Sequence, residues 1–531
     1  MNIKNLPTGF GFARLQALPR GPTVRGAAAW AAGAAVLLML GLAVAVAPWA
    51  IVLLLALAVV LVGVFGLLAY ATAGAPFWIR ACTAVVFAQL ILNYGFAAAV
   101  IPLGSVGAPI SELVLTFSIA VCIFKVTLAN DPVHLPGLLW LVCVWALLNL
   151  ALHLPWGLNQ HGMAAARDAL PTVEVLFVLP GFVAATHLLR LPDGGSAFLK
   201  RSLAVLVLGM AVYGLGIGIQ EFIIRFSPRM PSLQQTVPLI GSYQSWPLAG
   251  LFSMLAFLLW RWQTQEPMTF TEWMAGGLIF ISGTYTFFAS QSRAAYLIVA
   301  LFLILLLLLG GQGKRVLVLF TAIICAALFF LLIETLGLEL RGRISTLSAS
   351  QIVDHLFTLS GESEDSEYQG AAGGIAQRKS WIAYSLQLWQ QDFRSILVGV
   401  GYGDVLTNHT VVGFQQQTIL VREPHNSFIS ILTRSGLLGL MVNATLHLCL
   451  LWACVRLYRR RYKTHRSLAA LALGVLFIHV YCLLTAMGQP VLESPHFAVP
   501  LHFILGAMYA VARHFDDDTL AGRPVDEQLP T

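Results

Sequence analysis

The constraint that dominates this chain is a succession of apolar windows, each about 20 residues long, the length a helix needs to cross the hydrocarbon of a bilayer. They fall at 27–47, 49–70, 80–102, 111–129, 136–154, 171–190, 202–223, 246–262, 273–290, 294–310, 315–334, 427–455, 468–487 and 496–512. Inside a membrane no water solvates the peptide groups, so a spanning segment satisfies them within itself as a helix or by closing a barrel. None of these windows has the alternation of a barrel strand. Hydrophobic residues make up 58% of the chain and charged residues 10%, with a mean hydropathy of +0.80, which excludes a water-soluble protein. The expected fold class is an all-α polytopic membrane protein of about fourteen transmembrane helices. The count is one fewer if the first two windows, divided only by Pro48-Trp49, form a single element.

The cations then set the orientation. With Lys4, Arg14, Arg20 and Arg25 in a cytoplasmic tail, alternate connections should be basic, and they carry Arg80, then Arg190, Lys200 and Arg201, then Lys314 and Arg315, then the run Arg459 to Arg466. The expected plan is a cytoplasmic tail 1–26, spans over 27–334, one large periplasmic loop 335–426, spans over 427–512 and a cytoplasmic tail 513–531 carrying Asp516, Asp517 and Asp518. The N-terminal 25 residues lack the short apolar core and small-residue cleavage site of a signal peptide. The net charge of +7 does not point to nucleic acid, because the cations lie scattered at helix ends with no aromatic-interleaved basic domain. Seven cysteines all fall inside apolar segments, so buried thiols are expected and neither a disulfide framework nor a zinc site. No internal repeat is visible, which disfavours a transporter built from inverted halves.

Within the large loop, Trp381, Ile382, Tyr384, Ser385, Leu388 and Trp389 follow helical spacing and predict an amphipathic helix over Arg378–Trp389, lying on the membrane or capping a cavity. Val398-Gly399-Val400-Gly401-Tyr402-Gly403 follows; without a flanking strand and helix it reads as a tight packing turn rather than a nucleotide loop.

Arg167, Arg225, Arg229 and Arg293 remain on the outward side after topology has explained the other cations. A guanidinium is permanently charged and forks onto phosphate oxygens, so as a group these suit a lipid-linked diphosphate at headgroup depth; singly, each reads equally well as an arginine snorkelling to headgroups. Arg225 and Arg229 would share a helix face if the helix runs past Ser227, and Arg293 sits in a short connection between two spans. At the end of the loop, Pro424 stops any preceding helix and Asn426 or Ser427 can cap the next. His425 is therefore placed at a helix N-terminus, where imidazolium is disfavoured and a neutral base is available; as a lone histidine it reads also as a cap or surface residue. Glu423 is placed to orient it. Arg434, two turns into the span, needs a partner, for which Glu493 is a candidate.

These features resemble the O-antigen ligase and polymerase superfamily of bacterial envelope glycan assembly. His425-Asn426, nine residues, then Gly436-Leu437-Leu438-Gly439 is similar to the ligase signature. Ser292-Arg293-Ala294-Ala295, the stretch from Arg378 to Gly403, and Glu493-Ser494-Pro495 look like further family segments, together covering residues 240–510. Where the family has an arginine before Gly241-Ser242-Tyr243, this chain has Pro238-Leu239-Ile240, so whether Arg225 or Arg229 takes that arginine's role stays open.

The resemblance implies a multi-pass protein of the bacterial inner membrane. It implies transfer of a glycan, with inversion and without metal or cofactor, from undecaprenyl diphosphate to a sugar hydroxyl at the periplasmic face. His425 and Arg293 would be catalytic, Arg167, Arg225, Arg229 and Arg293 would bind diphosphate, and Glu423, Asn426, Arg434 and Glu493 would support them. The acceptor is lipid A core in a ligase or a second lipid-linked glycan in a polymerase. Two other classes remain open: a flippase or exporter of lipid-linked glycan, and a non-catalytic assembly protein in which His425 is structural.

Overall fold

A computed structural model describes residues 75–127 except 93, 98 and 104–105, then 133–190, 200–204, 207, 225, 227, 229–231, 236–238, 246–264, 267–290, 292–309, 313–337, 366–407, 410–412 and 418–520. The first two expected spans, most of the 202–223 span, the tail 1–26 and residues 338–365 of the large loop lie outside these residues. The chain divides after Gly66 into two units, and everything described belongs to the second.

The N-terminal elements are helices α1 (Phe77–Leu92) and α2 (Tyr94–Ala97), the hairpin β1 (Val100–Leu103) and β2 (Val106–Pro109), and α3 (Ile110–Thr127). Next come α4 (Gly137–His161), α5 (Met163–Val175) and α6 (Val178–Leu189), followed by the hairpin β3 (Arg229–Pro231) and β4 (Thr236–Pro238). The chain continues through α7 (Trp246–Thr264), α8 (Phe270–Ala289), α9 (Arg293–Leu309) and α10 (Gly313–Thr335). The large loop contributes α11 (Ser366–Trp389), α12 (Phe393–Val398) and the hairpin β5 (Thr410–Val412) and β6 (Thr418–Leu420). The last elements are α13 (Ser427–Arg461), α14 (Arg466–Ala486), a 3-10 turn at Val491–Glu493 and α15 (Pro495–Leu520).

The described elements are helical as expected, with three short antiparallel hairpins in the connections among them. Several helix bounds fall within a few residues of the apolar windows, but two expectations need correction. The expected span 80–102 is a helix ending at Leu92, a short helix and a strand; β-branched Val100 and Ile101 with Pro102 leave the helix for the hairpin. Of the seven cysteines, Cys325 and Cys449 are exposed on their helices rather than buried.

Among the described residues, five helical stretches are long and apolar enough to cross a membrane: Gly137–His161, Met163–Leu189 (α5 and α6 together), Ser427–Arg461, Arg466–Ala486 and Pro495–Asp516. Their faces are arranged for lipid. On α4, Leu141, Leu147 and Leu148 point outward while Asn149 and His153 are buried; on α13, Leu438, Met441 and Trp452 are exposed while Thr433, Arg434, Asn443 and His447 are buried. Apolar side chains lose nothing by facing hydrocarbon, whereas polar ones need partners inside. α15 packs most extensively along α6, and a Cβ on Gly181 or Gly506 would strike the Phe503 or Val178 carbonyl. Small residues let the two backbones meet, the usual means of holding helices together where lipid removes the hydrophobic drive.

Candidate functional site

The site is built around a break in α13. Asn426 caps that helix, its Oδ1 accepting the N–H groups of Phe428 and Ile429 at 3.1 Å each, and its Nδ2 donates to the Met487 carbonyl at 2.9 Å. At Gly436 the backbone leaves the helix, with φ 65° and ψ −169°. The carbonyls of Thr433 and Arg434, just before the break, accept the N–H groups of Val400 and Gly401 at 2.9 and 3.1 Å. The glycine-spaced turn is thus a packing turn, as its sequence suggested, and it fits against the broken helix backbone to backbone. A Cβ at Gly399 would collide with the Arg434 peptide, and one at Gly436 with Leu397 and Val398.

The other wall of the turn is α4. His153 Nε2 donates to the Val398 carbonyl at 2.9 Å, and Asn149 Nδ2 donates to Ser435 Oγ at 2.8 Å. Tyr402 is fully buried, its hydroxyl 2.7 Å from Thr172 Oγ1 of α5, and burial pushes the phenol up to about 12.

Asp168 of α5 sits at the centre. Its side chain is wholly buried, and its Oδ2 accepts Arg422 Nη2 at 2.8 Å, Arg434 Nη1 at 3.0 Å and the Gly403 N–H at 3.2 Å. The ion-pair partner of Arg434 is therefore Asp168, and its charge also acts on Glu493. Arg422 Nη2 also donates to the Gly403 carbonyl at 2.7 Å. One residue earlier on α5, Arg167 Nη2 lies 3.9 Å from Glu423 Oε1, so Glu423, expected to orient His425, pairs with an arginine.

His425 adopts a left-handed backbone, φ 53°, between Pro424 and the cap. It is half-buried with Nδ1 out of solvent, and its ring lies 5.4 Å from that of Trp381, tilted by 36°. Trp381 comes from α11, whose Arg378–Trp389 portion buries Trp381 and Ser385 as the helical spacing predicts. Burial, and then the nearby Arg378, hold the imidazole below the ordinary histidine range, so the neutral, proton-accepting form predominates at neutral pH.

Behind Asp168 lies a narrow cavity bordered by Trp145, Tyr402, Ser430, Arg434, Asn443, Glu493 and His502. Glu493 enters it from the 3-10 turn with Oε1 out of solvent. Burial, and then Glu423, raise this carboxyl well above the usual carboxylate range, against the pull of Arg434. That turn is stapled to the start of α13, since Leu492 N donates to Ser427 Oγ at 3.1 Å.

The structure thus gathers Arg167, Glu423, His425, Asn426, Arg434 and Glu493 from separate parts of the chain. Arg293 opens α9, its side chain lying outside the described residues. Arg225 is exposed and helical, while Arg229 is exposed and begins a strand, so the two share no continuous helix face.

Sequence reasoning missed Asp168 and Arg422 as partners, and it missed the interior histidines. His447 Nδ1 lies 2.9 Å from His479 Nε2, one donating to the other, and the His502 ring is 5.6 Å from that of His447. This trio joins α13, α14 and α15. The available signal was polar residues four apart within apolar windows, Asn149 with His153 and Asn443 with His447.

Residues 277–444 match a family model described as O-antigen ligase. No curated protein matches the chain. The matched segment runs from within α8 to within α13 and contains His425, Arg422 and Arg434; Arg167, Asp168 and Glu493 reach the same site from outside it.

Proposed function

We propose a reaction from one premise, that the chain belongs to the O-antigen ligase/polymerase superfamily through residues 277–444: it transfers a glycan from undecaprenyl diphosphate to a sugar hydroxyl. Membership makes it a multi-pass membrane protein of glycan assembly. The reading adds a plan of about fourteen spans, in the bacterial inner membrane, with the large loop and the site on the periplasmic side.

The observation that carries the proposal is the setting of His425. It stands immediately before the capped start of α13, with its ring against Trp381 and its basicity lowered, so it is ready to take the proton of an acceptor hydroxyl as that oxygen attacks the anomeric carbon. The glycosyl–oxygen bond to the diphosphate breaks on the opposite face, which inverts the centre. Arg293, with Arg167 and either Arg225 or Arg229, holds the diphosphate and offsets the charge that builds on it. This is the electrostatic role a divalent cation fills elsewhere, so the reaction needs no metal or other cofactor. α11 and the loop roof the site and limit hydrolysis of the donor.

The test is transfer by the purified, full-length protein in detergent, with lipid-linked oligosaccharide donor and either lipid A core or a second donor molecule as acceptor. His425→Ala is expected to lower the rate by about 10²–10⁴-fold while EDTA leaves the wild type unchanged. Product on core identifies a ligase, and a ladder identifies a polymerase. Undiminished transfer by His425→Ala removes the general-base assignment, and translocation of donor without transfer makes the protein a flippase.

A further inference from the structure

We infer that Asp168 is the positioning residue that sets the place of His425 by gripping the chain on both sides of it. The inference rests on the general-base reading above for its catalytic consequence and on the structure alone for its mechanical part. Arg422 lies three residues before His425 and Arg434 nine residues after it, and both guanidiniums end on the same Oδ2 of Asp168, at 2.8 and 3.0 Å. Between them run Glu423, the buried Pro424, His425 and the first two turns of α13, and the break at Gly436 follows two residues after Arg434.

The segment carrying His425 is therefore a short rigid piece, closed at one end by Arg422 and at the other by Arg434. Its anchor is a carboxylate on α5, an element distant in sequence from both arginines. Arg167, adjacent to Asp168, adds a weaker hold on Glu423 at 3.9 Å. The grip also reaches the glycine turn, because Asp168 accepts the Gly403 N–H and Arg422 donates to the Gly403 carbonyl at 2.7 Å. The backbone carbonyl of Arg422 in turn accepts the Leu406 N–H at 2.9 Å.

A buried carboxylate shared by two guanidiniums is costly to lose, because each cation would then be left in a poorly solvated place without its counter-charge. A purely stabilising role and a positioning role make different predictions. If Asp168 serves only to neutralise its two arginines, removing one of them with it should restore kcat in step with stability. If it positions His425, the same change should restore part of the stability and leave the histidine misplaced, because Arg422 still lacks its anchor.

The experiment compares wild type, Asp168→Asn, Asp168→Glu and the double variant Asp168→Asn/Arg434→Met as purified full-length proteins in detergent. Each is measured by thermal melting, by hydrogen exchange of the peptides covering 398–407 and 420–428, and by steady-state transfer. For Asp168→Asn we expect exchange in those two segments to rise at least about tenfold, while α14 and α15 are unchanged. kcat is expected to fall at least about tenfold with little change in donor KM, and Asp168→Glu to recover part of it. The double variant is expected to melt above Asp168→Asn and below wild type, because Arg422 still has no counter-charge, yet keep the fast exchange and the low kcat.

Wild-type exchange in Asp168→Asn, or full recovery of kcat in the double variant, overturns the inference. If His425→Ala transfers normally while Asp168→Asn still shows faster exchange at 420–428, the general-base reading fails and the positioning by Asp168 stands.

Discussion

Replacing Gly436 with alanine tests whether the broken helix is the foundation of the site. Its φ of 65° and ψ of −169° lie in a region open essentially to glycine alone, and a residue with a Cβ held there costs about 1–3 kcal/mol. The added methyl would also meet the Leu397–Val398 peptide, which is backbone and cannot rotate away, and overpacking of that kind costs a further ~1–3 kcal/mol. Against this, alanine restricts the unfolded chain and returns about 0.4–1 kcal/mol. The expected net loss is roughly 1–5 kcal/mol.

The matched control is Gly277→Ala in α8, where a Cβ meets nothing within 4 Å; a helical glycine replaced by alanine in open space should gain about 0.5–1 kcal/mol. Unfolding free energies of both variants in the same mixed-micelle titration give the answer. Opposite signs, with hydrogen exchange rising at 396–402 in Gly436→Ala, support the packing account. A Gly436→Ala protein as stable as the Gly277→Ala control would refute it, because neither the strain nor the close approach would then exist.

Arg378→Gln should let His425 regain basicity, so the acidic limb of the transfer pH profile moves to higher pH with an unchanged plateau; an unmoved limb means Arg378 does not act on the base. Asn426→Ala removes the acceptor of two helix N–H groups and should cost about 0.5–2 kcal/mol in micelle unfolding, with Asn426→Asp losing less because it keeps the cap. Glu493 has a folded-state pKa above its unfolded one, so the native state binds the extra proton and stability falls as pH rises from the unfolded value towards the folded one. Glu493→Gln should flatten that decline in melting temperature measured across the range, and a parallel decline in the variant would show that Glu493 is not its source.

The reading of the sequence reached the membrane class, the bounds of several described helices and the His425-Asn426 cap, because each depends on local chemistry. Twenty apolar residues need no tertiary partner to prefer hydrocarbon, and a Pro-His-Asn-Ser sequence stops one helix and starts another wherever it lies. The glycine-spaced turn was also legible as a packing turn, though not what it packs against. Pairings across the chain were hidden. Nothing near Arg434 in sequence names Asp168, 266 positions earlier, as its counter-ion, while Glu493, the candidate the sequence offered, feels the charge of Arg434 without forming that ion pair.

What the sequence alone determined about this protein is its solvent and its local stops and starts; what the tertiary structure decided is which buried charges meet. Apolar periodicity is a property of each segment, whereas the counter-ion of a buried guanidinium depends on how helices from distant segments cross. In this fold the broken α13, α5 and the glycine turn bring two arginines to one carboxylate and so fix where His425 stands.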